Sequence, residues 1–164
     1  MVTKKHDAVA LLKDDHRQVK AWFIAFAKSR TSKIKQSLAT RICNALRVHT
    51  QIEEEIFYPA FFDATRDKAV HHEAVVEHAS AKSLIDEIER STPSDDYFDA
   101  KVQVLSEMIA HHVKEEEQPG GMFAEARQSA MDMVSLGQRL FDRKSALMTA
   151  LERGQKHGSR LAAA

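Results

Sequence analysis

The sequence has few of the residues on which several kinds of fold and site depend. Its single cysteine, Cys43, excludes an intrachain disulfide and any metal site built from several thiolates. A bound metal would therefore have to be held by nitrogen and oxygen. Glycine and proline are scarce, at five and three residues, which leaves long segments free to be helical. A length of 164 residues suits one domain with a sizeable core.

Charge and hydropathy exclude further classes of partner. The 24 basic side chains balance the 24 acidic ones, so no net positive charge attracts nucleic acid, and we expect no nucleic-acid partner. No apolar run approaches the length that spans a membrane, and residues 1–13 lack the apolar core of a signal peptide. We therefore expect a cytoplasmic protein with no membrane partner.

Apolar residues recur at three- and four-residue spacing along most of the chain, which predicts an all-α fold. Four long helices are expected. The first three span about 5–28, 34–62 and 67–90, and the fourth begins at a cap, Ser94 or Asp95, and ends at Gln118. Short connections make successive helices neighbours, so we predict an up-down-up-down antiparallel four-helix bundle over residues 1–128. An additional C-terminal helix, about 132–153, is expected to pack on the bundle within residues 129–157. Residues 158–164 are expected to form a disordered tail.

Nine histidines are the compositional surplus, and two of them belong to a repeated His-x-x-x-Glu motif. The motif places His49 with Glu53 on the second helix and His112 with Glu116 on the fourth. Residues four apart project from the same face of a helix, so each motif can present an imidazole and a carboxylate to one point. At about 100° per residue, both pairs fall on the apolar stripe of their helix and should point inward.

The first and third helices each add one inward histidine, His16 and His78, on their apolar stripes. Counted from the intervening loops, the four histidines lie within about one helical turn of one height in the bundle. We therefore expect one interior layer of six side chains, which are the candidate metal ligands: His16, His49, Glu53, His78, His112 and Glu116.

Burying such a layer without a cation would cost several kcal/mol for each charged group. Six nitrogen and oxygen ligands exceed what one tetrahedral zinc takes, but they suit two iron or manganese ions bridged by carboxylates. Such a pair would leave positions open for dioxygen, peroxide or nitric oxide.

These motifs resemble the bacterial haemerythrin-like HHE cation-binding proteins. The resemblance covers nearly the whole chain and is carried by the segments LLKDDH (11–16), HTQIEEEIFYP (49–59), EH (77–78), HHVKEEE (111–117) and MDMVSLG (131–137). It implies a non-haem centre of two iron ions, oxo- or hydroxo-bridged, with the four histidines as terminal ligands and the two glutamates as bridges. It also implies reversible handling of dioxygen or related small oxidants.

The sequence departs from this family pattern at two places. Animal oxygen carriers pair the third-helix histidine with another at four-residue spacing, whereas the positions four away from His78 are Ala74 and Lys82. The run Pro119-Gly120-Gly121 replaces the usual segment after the second motif, and it could alter access beside Glu116.

The other polar residues have simpler interpretations. The glutamates that flank the two motif glutamates, 54 and 55 on one helix and 115 and 117 on the other, are expected to be solvated. His71 is expected to be hydrogen-bonded or half exposed, with lining of the metal cavity as the alternative. We expect Cys43 to be a small buried filler rather than a redox thiol.

The favoured function is a non-haem di-iron protein that binds dioxygen, or reacts with peroxide or nitric oxide, as a sensor, scavenger or store. We expect a metal- and oxygen-binding protein more than an enzyme. One alternative is a ferritin-like di-iron oxidase or peroxidase, although the His-x-x-x-Glu order differs from the Glu-x-x-His pairs of those proteins. The other is a structural metal-binding bundle that acts as an interaction module. The last helix is a candidate surface for a homodimer.

Overall fold

The structure, a computed structural model, describes the backbone of residues 6–162 and the side chains of residues 6–155. The described residues contain no strand, which confirms the all-α prediction. A five-residue π-helical turn, Glu53–Phe57, joins the second and third α-helices into one continuous rod. The α-helices in chain order are α1 (Ala8–Lys28), α2 (Ser32–Ile52), α3 (Tyr58–Thr65), α4 (Lys68–Glu89), α5 (Phe98–Glu117), α6 (Met122–Gln128) and α7 (Met133–Ala162).

Four of these helices form the walls of the predicted up-down-up-down antiparallel bundle. α1 packs against α2 and α5, and α4 packs against α5 and α2, so each wall touches two neighbours. α7 is the additional C-terminal helix, and it lies across α1, α2 and the π-helical turn. Within residues 6–162, no helix has the length and apolar character needed to cross a bilayer.

Local capping fixes where several helices begin. The Asp7 carboxylate accepts a hydrogen bond from the backbone N–H of Ala10 at the start of α1, and Asp67 accepts from Val70 at the start of α4. The predicted cap of the fourth helix at Ser94 or Asp95 is wrong. Asp95 instead accepts from the N–H of Thr92 within the loop, and α5 begins only at Phe98.

The boundaries of the C-terminal segment differ from the expected ones. The backbone of α7 is helical to Ala162, beyond the helix end expected near residue 153. The predicted tail, 158–164, includes residues 163 and 164, which lie outside the described part of the chain. The division of the chain at residues 128 and 157 stays a prediction.

Two apolar clusters make up the core, and a polar layer separates them. On α1, Leu12 belongs to the cluster that also holds Leu136 and Leu140 of α7, whereas Val19 and Phe23 belong to the other cluster. His16 lies between these two groups along α1. The fold therefore places a buried ring of polar side chains midway along the bundle, with apolar packing above and below it.

Candidate metal centre

The six candidate ligands meet in this polar layer, and each is at most 7% exposed. Their imidazoles form two pairs through the Nε2 atoms, which are 3.0 Å apart in the α1–α2 pair and 3.1 Å apart in the α4–α5 pair. The α1–α2 pair is His16 and His49, and the α4–α5 pair is His78 and His112.

Glu53 and Glu116 lie between the two histidine pairs. One oxygen of Glu53 is 3.2 Å from Nε2 of His49, and its other oxygen is 3.2 Å from Nε2 of His78. The two oxygens of Glu116 lie 3.3 and 3.4 Å from the Nε2 atoms of the remaining histidines, one in each pair. Each carboxylate therefore offers one oxygen to each pair, which is the donor arrangement that two carboxylate-bridged cations require.

Every histidine of the layer also has a carboxylate on its outer nitrogen. The Nδ1-to-oxygen distances are between 2.5 and 3.3 Å. A carboxylate that accepts from Nδ1–H leaves the Nε2 lone pair pointing inward and makes the imidazole a better metal ligand. The bonds run from His16 to Glu117, from His49 to Asp15, from His78 to Glu54 and from His112 to Glu77.

These four bonds form a closed ring around the bundle, which we call the carboxylate ring. Each acceptor is the sequence neighbour of a candidate ligand on its own helix, but it serves the histidine of an adjacent helix. The prediction that Glu54 and Glu117 are solvated is therefore wrong. Spacing along one helix could not reveal a partner on another helix. The only sequence signal was an acidic residue beside each candidate ligand.

Tyr58 is a further residue of the centre that the sequence analysis missed. Its hydroxyl is buried and lies 3.0 Å from Nε2 of His78 and 3.3 Å from Nε2 of His112. The same oxygen lies 3.2 Å from Glu53 and 3.1 Å from Glu116, to either of which the O–H can donate. Tyr58 therefore stands on the α4–α5 side of the layer, the side on which His78 lacks a second histidine at four-residue spacing.

The π-helical turn explains how one rod supplies both a glutamate and a tyrosine to the centre. In a regular α-helix, residues five apart would be separated by about 140° around the axis. In the π turn the N–H of Tyr58 instead bonds to the carbonyl of Glu53, five residues earlier, and the wider turn brings the two side chains onto one face. The helical spacing used to predict inward residues fails at such a turn.

The electrostatics of the layer leave its acidic groups incompletely compensated. Glu53 Oε1 and Glu116 Oε2 are buried and accept no well-aligned hydrogen bond. Burial, and then the Glu53 charge, raise the pKa of Glu116 to about 8. Burial opposes charge on His49, but the Glu53 and Asp15 carboxylates outweigh it and raise the pKa of His49 to about 10. These oxygens and nitrogens, aimed at common points, fit divalent cations that take imidazole and carboxylate ligands.

A small cavity of about 10 Å³ adjoins the layer. Its apolar wall is formed by Val19, Leu46, Ile109 and Val113, and the four histidines of the layer also line it. This volume is about that of one water-sized molecule. Ile109 and Val113 also line a larger groove of about 450 Å³ that lies between α1 and α5. The two side chains thus stand between the groove and the cavity beside the layer.

A family model described as the hemerythrin HHE cation binding domain matches residues 7–119, which include all six candidate ligands. The chain belongs to this family. A solved structure of a hemerythrin HHE cation binding domain-containing protein from Mycobacterium kansasii has the same fold as this haemerythrin-family chain. The two align with a TM-score of 0.71 over 88% of each chain, at 19% identity.

The haemerythrin-family chain is also similar to part of a protein from Nostoc sp. that is described as a DNA nickase. The two are 26% identical over 110 residues, which is 65% of this chain and 30% of the relative. The chain therefore spans less than a third of the length of this curated relative.

Cys43 and His71 lie outside the layer of candidate ligands. Cys43 is buried, at 2% exposure, as predicted, and burial raises the pKa of its thiol to about 12. His71 is half-buried and lies against the rings of Tyr58 and Phe62, and its Nδ1 has no hydrogen-bond partner among the described residues.

Proposed function

We propose that this haemerythrin-family chain is a non-haem di-iron protein that binds dioxygen, or reacts with peroxide or nitric oxide, as a sensor, scavenger or store. The observation that carries the proposal is the pair of buried carboxylates, each with one oxygen beside each histidine pair. In this proposal His16 and His49 hold one ion and His78 and His112 hold the other. Glu53 and Glu116, each with one oxygen beside each histidine pair, would contribute to holding both ions.

Tyr58 is proposed as an additional oxygen donor on the α4–α5 side. Its hydroxyl stands within 3.3 Å of both histidines of that pair, where it can hold or give up a proton. Iron is proposed over manganese on the strength of the family resemblance, since the same donors suit both metals. When bound, the metal pair supplies the redox chemistry that dioxygen, peroxide and nitric oxide require.

The small cavity beside the layer supports a very small ligand rather than an organic substrate. Its volume of about 10 Å³ and the apolar side chains around it exclude larger polar molecules from the histidine layer. The same apolar wall keeps bulk water away from the donors, which strengthens their electrostatic interaction with a cation.

Metal analysis of protein expressed in iron-supplemented medium tests the centre. We expect two ions per chain, and we expect His112→Ala to lose most of this content. His111→Ala is the matched control, because His111 is the exposed sequence neighbour and its imidazole contacts only the outer acceptor Glu77 among the described acidic side chains. A wild-type content well below two, or equal losses in both variants, would contradict the proposal.

Rapid-mixing spectra of the reduced, iron-loaded protein with dioxygen then separate binding from catalysis. A persistent oxygen-dependent absorption supports carriage, storage or sensing, whereas rapid decay with product release supports an oxidase or peroxidase.

We propose binding as the main role, in a cytoplasmic protein without a nucleic-acid partner. The nickase activity in the name of the Nostoc relative belongs to a protein more than three times as long as the aligned region.

A further inference from the structure

Besides the groove between α1 and α5, a pocket beside the Pro119-Gly120-Gly121 insertion also reaches the layer. It is a pocket of about 100 Å³ between α4, the end of α5 and the start of α6. Gly121 packs so closely on the end of α5 that a Cβ there would clash with the carbonyl oxygen of Glu115. Gly120 adopts a φ of 75°, which glycine tolerates readily. Gly120 and Gly121 of the insertion form part of the rim of this pocket.

The lining of the pocket is strongly acidic. Four carboxylates contribute to it, and no lysine or arginine does. The groove between α1 and α5 has the opposite character, since Arg17 and Lys20 line it together with a single carboxylate. The acidic lining residues are Glu73, Glu77, Glu115 and Glu116.

The four carboxylates become more buried from the rim toward the layer. Glu73 is exposed, Glu77 and Glu115 are half-buried, and Glu116 is 1% exposed. Glu116 and His112 form the inner end of the pocket, and both are candidate metal ligands. Glu116 Oε2 accepts no well-aligned hydrogen bond among the described residues, so the pocket leads to a buried carboxylate with an incompletely bonded oxygen.

We propose that this acidic pocket is the route by which divalent cations, Fe²⁺ in particular, reach the metal centre. The inference rests on the proposed di-iron function. A cleft lined by one sign of charge raises the local concentration of the opposite ion and its association rate, by about 10- to 1,000-fold for a strong field. Glu73 and Glu115 attract the hydrated cation, and Glu116 receives it at the centre.

The test measures metal uptake rather than activity. Metal-free full-length protein is mixed anaerobically with Fe²⁺, or with Co²⁺ as a spectroscopic probe, and the rate of incorporation is recorded at several salt concentrations. The variant is the double substitution Glu73→Gln with Glu115→Gln, which leaves the candidate ligands and the carboxylate ring intact. We expect uptake to slow by roughly three- to tenfold at low salt and the difference to shrink at high salt. The final metal content should remain that of the wild type.

Two controls sharpen the comparison. Glu107→Gln removes an exposed α5 carboxylate whose one hydrogen bond among the described residues comes from Gln103. Lys20→Gln alters the lining of the other groove. Both should take up metal as fast as the wild type. The proposal is overturned if the double variant matches the wild-type rate, if Glu107→Gln slows uptake equally, or if the double variant loses metal at equilibrium. A wild-type chain that binds no metal would instead refute the di-iron function itself.

Discussion

Removing one acceptor of the carboxylate ring should weaken metal binding without changing any ligand. The sharpest choice is Glu117→Gln, because Glu117 contacts His16 Nδ1 at 2.7 Å and has no other ion pair among the described side chains. Two of the other acceptors, Asp15 and Glu54, also pair with lysines, so their loss would release additional charges.

The magnitude follows from what the bond does for His16. The carboxylate holds the Nδ1–H tautomer, aims Nε2 at Glu116 and the centre, and increases the electron density of the ring. An amide of the same shape keeps an acceptor oxygen but removes the negative charge. Loss of such an outer partner weakens metal affinity by about 10- to 100-fold, which corresponds to roughly 1.4 to 2.8 kcal/mol of binding free energy.

The assay is equilibrium competition for Fe²⁺ or Co²⁺ against a chelator of known affinity, with thermal unfolding of the metal-free proteins measured alongside. Glu107→Gln on the same helix is the control, since among the described residues its carboxylate accepts a hydrogen bond only from Gln103. Glu117→Gln should bind the metal more weakly, while the control should not. Equal affinity in Glu117→Gln and the control would refute the functional role assigned to the carboxylate ring.

Three further outcomes are expected. Tyr58→Phe should lower the free energy of unfolding of the metal-free protein by about 1–3 kcal/mol in urea titrations, because Glu53 and Glu116 lose the buried hydroxyl that can donate to either of them. Tyr97→Phe, at 74% exposure, should leave the free energy of unfolding unchanged. Cys43 should resist alkylation at pH 8 until denaturant is added. A thiol with a pKa of about 12 is ionised at that pH only to about one part in ten thousand. Rapid labelling of the native protein would contradict the burial of this thiol. In thermal unfolding, Gly121→Ala should destabilise the protein by about 1–3 kcal/mol, because the added methyl group overpacks against the end of α5. Gly154→Ala is the control and should be neutral or slightly stabilising, because its methyl group meets nothing within 4 Å.

Helical periodicity was sufficient to predict the bundle and to bring the six candidate ligands together. Each of these residues lies on an apolar stripe that continues for several turns, so its inward direction follows from its neighbours on the same helix. His112 illustrates this, because the stripe distinguishes it from His111 one position earlier, and the structure has the first buried and the second exposed.

Features that depend on contacts between helices, or on irregular backbone, were not predictable in this way. The carboxylate ring joins residues up to 101 positions apart. Each acceptor carboxylate is only partly buried, so its sequence position resembles that of a solvated surface residue. Tyr58 was missed because the π turn shifts the helical register between it and His49. The start of α5 was misplaced because Asp95 bonds within the loop instead of capping the helix.

The closed ring has a consequence for the order of events during synthesis. His16 leaves the ribosome with the first helix, but its acceptor, Glu117, is made about a hundred residues later at the end of α5. No helical hairpin of this chain contains a complete set of donors with their acceptors. Under the proposed di-iron function, capture of the two ions with all four outer acceptors in place therefore waits until α5, the last wall of the bundle, has been translated and docked.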